Sequence, residues 1–351
     1  MRVRFSITII FFNLLFFISS CKAENSSSSD TIFVAFWNIE NLFDTIDDPA
    51  TEDEEFLPSG AKQWTEERLD RKMYNLARVF KMMNEEKAPD IIGVAECENK
   101  SLLELFVSKH FNEKKYKITY AESPDNRGID CGFIYDADKF TLVEYHSYEI
   151  KKLQHTPTRL ILHTTLKLKK NDEEINLFVN HWPSRRGGAS ETEYKRIAAA
   201  QVLKEEVDKL FKSSKDAKII IMGDFNDDPI DESILNVLKA IPFKCDNTDQ
   251  ATMKVPPFEL YNISYNLFEK GLGTITYNNN WNLFDQIIIS SSLIKQKVIS
   301  YLCDSFSIIN NELTTTRSGK YKGSPFPTYG GNRYLGGYSD HFPVTAKFIV
   351  R

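Results

Sequence analysis

The chain has 351 residues, 42% of them hydrophobic and 26% charged, with 25 Phe and 15 Tyr. These proportions exclude a fibrous or intrinsically disordered chain and supply apolar material for a sizeable core. A formal charge of −5 makes the chain no obvious polyanion binder, so any contact with nucleic acid has to be local or bridged by a metal.

The first stretch, "MRVRFSITIIFFNLLFFISSC", has Arg2 and Arg4, an apolar run, and small residues before a cysteine. It reads as a secretory signal over residues 1–20, because the run is short for a bilayer span and ends in serines. The small residues before Cys21 resemble the lipobox of bacterial lipoproteins. That resemblance implies an exported cell-envelope lipoprotein, with Cys21 lipidated. Its membrane would be the outer one, touched through the lipid alone, with the protein facing periplasm or surface. An uncleaved anchor, or an ordinary signal with an incidental cysteine, are the alternatives. Residues 21–30 read as a flexible polar tether. Loss of residues 1–20 removes Arg2 and Arg4 and no acid, taking 44 basic residues to 42 against 49 acidic, a balance of −7. With no second linker or repeat, residues 31–351 read as one domain, expected to be monomeric.

Along that domain, strand-like runs recur: "TIFVAFW", "DIIGVA", "CGFIYD", "RLILHTTLKL", "INLFVNHW", "KIIIMGD", "FDQIIIS" and "FPVTAKFIV". They are rich in Ile, Val and Phe, and several alternate as half-buried strands do. Two segments read as helices. In "EERLDRKMYNLARVFKMMNEE", Leu69, Met73, Leu76, Phe80 and Met83 share a face. "SETEYKRIAAAQVLKEEVDKLFK" opens with Ser190 and Glu193 at capping-box spacing and carries Ile197, Leu203 and Leu210. Strands with a few amphipathic helices imply an α/β (α+β) fold of sheets covered by helices. Residues 314–338 read as a long loop. Cys97, Cys131, Cys245 and Cys303 show no metal-binding spacing. Cys97 and Cys131 read as buried thiols, and export permits disulfides.

Several runs end in polar groups. Asn38 and Glu40 follow the first at i and i+2, a spacing that places both on one strand face. Glu96, His181, Asp285, Asp340 and His341 follow or precede others, and Asp224 and Asn226 repeat the i, i+2 pattern. Taken singly, each has a bland reading as a turn residue, a helix cap or a satisfied structural side chain. Taken together, they suit a site on a sheet rim, with oxygen ligands for a hard cation and imidazoles for proton transfer.

The order "WNIEN", "VAECEN", "NHWPS", "MGDFND", "FDQII", "SDHFPV" resembles the endonuclease/exonuclease/phosphatase superfamily over nearly the whole mature chain. The resemblance implies a DNase I-like, four-layer α/β/β/α sandwich of two mixed sheets. It also implies a phosphoester hydrolase dependent on Mg²⁺, or on Mn²⁺ in its place. Glu96 would be the principal metal ligand, joined by Asn38, Asp340 and Glu40. His341 would be the general base, oriented by Asp285. Asp224 and Asn226 would orient the attacking water and hold the phosphate, and His181 would face the phosphate or leaving group. Arg159 and Asp130 fall at phosphate-contact and histidine-partner positions.

The substrate is bounded less sharply. Tyr321, Tyr329, Tyr334 and Tyr338 are candidates to stack on bases, and Arg317, Lys320, Lys322 and Arg333 to meet phosphates; the other reading is a solvated loop packed locally. Arg185 and Arg186 form a second candidate patch. No long apolar hairpin is visible, which favours a water-soluble substrate such as DNA or RNA, and a nuclease or other phosphodiesterase. A phosphomonoesterase or lipid phosphodiesterase (inositol-phosphate or sphingomyelin type) and a non-enzymatic surface binding protein are the alternatives.

Overall fold

All eight apolar runs form strands in the computed structural model, which describes residues 30–153, 157–245, 255–277, 280–295 and 297–351. The expected leader, Cys21 and tether residues 22–29 lie outside the described residues. In chain order come β1 (Asp30–Leu42), α1 (Glu66–Glu86), β2 (Ile91–Cys97), α2 (Lys100–His110), β3 (Tyr116–Ala121), β4 (Asp130–Asp136), β5 (Phe140–Tyr148), β6 (Ile161–Leu168) and β7 (Glu174–His181). There follow α3 (Ala189–Ser213), β8 (Ile219–Asp224), β9 (Ala240–Pro242), β10 (Leu260–Asn262), α4 (Tyr265–Glu269), β11 (Ile275–Tyr277), β12 (Asn280–Asn282) and β13 (Asp285–Ser290). The chain closes with β14 (Ile299–Tyr301), β15 (Ser307–Ile308), β16 (Tyr329–Gly330), β17 (Arg333–Tyr334) and β18 (Val344–Val350).

Two large sheets result. One runs β14-β18-β1-β2-β4-β3, with β15 also on β18; the other runs β5-β6-β7-β8-β13-β10-β9. Both are mixed. Each holds a parallel pair, β1 with β2 and β7 with β8, joined through a long helix and flanked by antiparallel strands. A parallel pair needs such a crossover, and α1 and α3 supply it.

Three apolar clusters mark four layers. One lies between the sheets, where Phe36, Phe133, Leu177, Met222, Ile287 and Phe348 interdigitate. A second packs α1 and α2 on the outer face of the first sheet, through Trp37, Leu69, Met73, Phe80 and Phe106. A third packs α3 on the outer face of the second, through Phe178, Trp182, Leu203, Val207 and Phe211. The α/β/β/α sandwich is thus the only layering that buries both faces of both sheets.

Details depart from the sequence expectation. α3 begins at Ala189 after Gly188, which makes no side-chain cap, so Ser190 sits inside the helix instead of capping it. Its deepest stripe is Ala199, Leu203, Val207 and Phe211, with Ile197 and Leu210 only half buried. β3 and β5 escaped notice because they sit at sheet edges, where β5 exposes most of its residues and carries no apolar run. Cys245 and Cys303 form a disulfide, while Cys97 and Cys131 are buried free thiols.

Candidate active site

The polar tips converge because of strand direction. β1, β2, β7 and β8 end at one rim of the sandwich, and antiparallel β4, β13 and β18 begin there. Register makes the meeting specific: Asp224 lies beside His181 on one side and Asp285 on the other. Gly223 lets the two parallel strands come this close, since a Cβ there would stand 2.4 Å from the Asn180 carbonyl oxygen.

Around Asp224 the side chains are tightly tied. His341 Nδ1 lies 2.7 Å from Asp285 Oδ2, and its Nε2 lies 3.8 Å from Asp224 Oδ2. His181 Nε2 lies 3.6 Å from the same Asp224 oxygen and 3.7 Å from Glu96 Oε1. Asn38 Nδ2 donates to Asp224 at 3.1 Å and to Glu96 at 3.2 Å, joining the two sheets' contributions through one amide. The Asn226 amide donates to Asp224 Oδ1 at 3.0 Å, and Asn226 Nδ2 donates to the Trp182 carbonyl at 2.9 Å. The His341 backbone is held by Ser339 Oγ at 3.0 Å and by Trp37 Nε1, which donates to the His341 carbonyl at 2.8 Å.

Two residues here adopt left-handed backbone conformations, Glu96 (φ 66°) and Asn226 (φ 52°). Such geometry costs a non-glycine residue of order 1 kcal/mol or more and persists where the surroundings over-determine it.

The electrostatics separate the two histidines. Burial works against a charged His341, but Asp285 and Asp224 outweigh it and hold its pKa well above the usual histidine range. Burial, with Arg159, Arg127 and His341 adding to it, pushes His181 well below that range, so its ring is neutral. Burial also pushes the Asp224 carboxyl up, against the pull of His341.

Glu96, Asn38 and Asp340 are the residues expected to hold a cation. Glu96 is partly open, with both oxygens oriented by Asn38 and by the Asn41 amide at 3.0 Å, and Asp340 is exposed. Carboxylate and amide oxygens at a solvent-open mouth fit a hard divalent cation that keeps some of its water. Ligand atoms of Asp224, Asp285 and His341 also lie within 4.8 Å of one another. There His341 Nδ1 is already committed to Asp285.

Five expected residues are placed elsewhere. Glu40 (φ 52°) breaks the strand alternation, so it does not share the Asn38 face. Its carboxylate instead receives the Thr328 amide at 2.6 Å and the Tyr329 amide at 3.3 Å, with Lys72 Nζ 3.9 Å away. Burial first, and then Asp340, raises the Glu40 carboxyl to about 7, while Lys72 pulls it down. Arg185 is drawn into Asp227, Asp228 and Asp231 and stacks on Phe284, which leaves it no phosphate to meet. Tyr338 is buried against α1, its hydroxyl receiving Arg78 Nη1 at 3.2 Å, so it offers no stacking face. Asp130 takes hydrogen bonds from Tyr120 at 3.3 Å and from Ser123, and His181 Nδ1 is a buried atom without a partner. Arg159 is a strut: it donates to the His181 and Trp182 carbonyls at 3.2 and 2.7 Å and pairs with Asp125 at 3.0 Å.

Sequence reasoning missed Lys72 and Asp125. Lys72 is wholly buried, with Nζ on Thr328 Oγ1 at 2.5 Å and on the Tyr338 carbonyl at 2.6 Å. Its signal was its place between Leu69 and Leu76 on the apolar face of α1.

The sequence profile described as "Endonuclease/Exonuclease/phosphatase family" matches residues 33–349. No curated protein matches the chain in sequence. Solved structures similar to it include an endonuclease/exonuclease/phosphatase family protein from Bacteroides thetaiotaomicron, with TM-score 0.55, 16% identity, and 92% of this chain and 96% of that chain covered. A mannosyl-6-phosphatase from the same organism has TM-score 0.54, 16% identity, and coverage of 91% and 99%. D. rerio TDP2 complexed with single strand DNA product has TM-score 0.54, 14% identity, and coverage of 91% and 98%.

Proposed function

The chain belongs to the endonuclease/exonuclease/phosphatase family, whose members are hydrolases of phosphoester bonds and generally depend on a divalent metal; from that premise we propose that it is an exported, Mg²⁺-dependent phosphodiesterase acting on DNA or RNA. The observation that carries this reading is the buried His341–Asp285 pair at 2.7 Å, set against Asp224 on the rim that Glu96 and Asn38 share.

The charge states suggest a division of labour. Asp224, its carboxyl pushed up by burial, takes the proton of the attacking water. The water's oxygen bonds to phosphorus as the ester P–O bond breaks, and the leaving oxygen takes a proton from solvent. His341, expected from sequence to be the base, is held protonated by Asp285 and Asp224. It is therefore suited to donate to a nonbridging phosphate oxygen, with Asp285 orienting the ring. His181, neutral, offers a second contact to the same group. Glu96, Asn38 and Asp340 would hold the cation, which supplies charge neutralisation of the phosphate when bound; Mn²⁺ can replace Mg²⁺ at such oxygen ligands.

Export through the leader, with Cys21 lipidated and the domain working as a monomer in the cell envelope, completes the proposal. The Cys245–Cys303 disulfide supports it, since such bonds persist in oxidising compartments.

The test uses the full chain with plasmid DNA, RNA, bis-p-nitrophenyl phosphate and p-nitrophenyl phosphate, each with Mg²⁺ and with EDTA. Metal-dependent nicking that is lost in His341→Ala upholds the reading. Cleavage of the monoester alone makes the protein a phosphomonoesterase, and silence on all four overturns the nuclease reading.

A further inference from the structure

Beside the reactive rim is a cleft of about 270 Å³. Its walls include Arg127, Arg159, Arg186 and Lys195, together with Thr158 and Ser184, and among the described residues no acidic one lines it. In a chain of net charge −5, four cations around one small cleft are a local reversal of the overall field. Asp125 answers only part of this charge, by pairing with Arg159 at 3.0 Å and Arg127 at 3.2 Å.

The cleft also contains an unsatisfied donor. Thr158 is 8% exposed, and its hydroxyl is a buried atom without a hydrogen-bond partner. A buried hydroxyl left unpaired costs about 1–3 kcal/mol, so a chain that keeps one at a cleft wall is keeping a donor for something that enters. Thr192 and Lys195, also in the lining, come from the first turns of α3, so the helix presents its positive end nearby.

Position ties the cleft to the reaction. Pro183 and Ser184 in its wall follow directly after His181 and Trp182, whose carbonyls Arg159 holds. Three residues span at most about 11 Å.

We propose that this cleft is a subsite for a second phosphate on the substrate, adjacent to the phosphate that is cleaved. The inference rests on the phosphodiesterase reading and narrows it to substrates that carry phosphates in series. A strand of nucleic acid has them, and so does an inositol bisphosphate. A lipid whose headgroup ends in a quaternary amine does not, and four cations would repel it. Recognition here is by charge and hydrogen bonding to phosphate oxygens and is indifferent to base sequence.

The experiment has a binding arm and a turnover arm, both on the full chain. In EDTA, anisotropy follows fluorescein-labelled pentathymidylate, with inositol 1,4-bisphosphate as competitor. The double variant Arg186→Gln/Lys195→Gln is expected to weaken pentathymidylate binding about tenfold or more and to flatten its salt dependence. Thr158→Val, which keeps the shape and removes the stranded hydroxyl, is expected to weaken binding several-fold while leaving Tm unchanged or higher. With Mg²⁺, the ratio of kcat/KM on an oligonucleotide to that on bis-p-nitrophenyl phosphate, which has one phosphate, should fall about tenfold in the double variant, mostly through KM. Competition by the bisphosphate that depends on Arg186 and Lys195, with no oligonucleotide binding, upholds the subsite and assigns it to small polyphosphates. Unchanged affinity and an unchanged ratio overturn it. If the wild type hydrolyses neither substrate, the phosphodiesterase reading falls, and the anisotropy arm still decides the subsite.

Discussion

The two sheets contribute unlike halves to the rim. From β7, β8 and β13 come His181, Asp224 and Asp285, all buried and all within hydrogen-bonded or near-contact distance of an imidazole. From β1, β2 and the approach to β18 come Asn38, Glu96 and Asp340, which grade from buried to exposed. The difference teaches how one family of side chains is given two jobs. The carboxylates kept from water lie against an imidazole, and Asp285 and Asp224 together hold the His341 ring charged. Glu96 and Asp340, less enclosed, offer oxygens at the mouth that suit a hydrated cation.

The sharpest way to break this contrast is on the buried half. Asp285→Asn should lower kcat about 10⁴-fold with little change in KM, measured on whichever substrate is cleaved, and should leave the metal concentration for half-maximal activity unchanged. A shift in that concentration would mean that the halves are not separate. Next in size is Lys72→Met. It removes the only cation within 4 Å of Glu40 among the described residues, at a cost of about 3 kcal/mol in urea unfolding. The cost is limited because the Glu40 carboxyl, at about 7, can take up a proton instead. Lys72→Met/Glu40→Gln should recover most of the loss; no recovery would mean that Lys72 serves the Tyr338 carbonyl and Thr328 alone.

On the open half, Glu96→Gln should raise the metal requirement about 10–100-fold while costing less kcat at saturating metal than Asp285→Asn. The smallest effect concerns pH. His181 is held neutral in the fold and titrates near 6.5 when unfolded. Below that pH the unfolded chain binds a proton that the folded one refuses, so stability falls as pH drops, by up to about 1.4 kcal/mol per pH unit for one such group. His181→Asn should flatten that slope between pH 6.5 and 5 in thermal unfolding, and an unchanged slope would place the acid lability elsewhere.

Much of the buried half was legible in the sequence, because a strand that ends in "GDFN" or starts at "FDQII" must deliver those groups to a rim. What was illegible was orientation within irregular backbone. Glu40 shares the i, i+2 spacing of Asn226 and even its φ of 52°, yet its carboxylate is claimed by the Thr328 and Tyr329 amides, which lie 288 and 289 residues further along the chain. Arg185 and Tyr338 had the right residue types beside the right motifs. The neighbours that claimed them, Asp231 and Arg78, are distant in sequence or hidden in a helix face. Lys72 was readable in principle from its heptad-like place between leucines. Cys245 and Cys303, 58 residues apart, carried no spacing signal at all.

That last pair has a mechanical meaning. Cys245 follows β9 and Cys303 follows β14, the outermost strands of the two sheets on the same flank. On the opposite flank the chain itself passes from β4 in one sheet to β5 in the other over three residues. The sandwich is therefore stitched along both margins, like a folded page bound at spine and fore-edge. Because Glu96 rides on one leaf and Asp224 on the other, sliding of the leaves would pull the two apart. Stitching at both margins opposes that sliding, and a reactive site tolerates displacements of only about half an ångström.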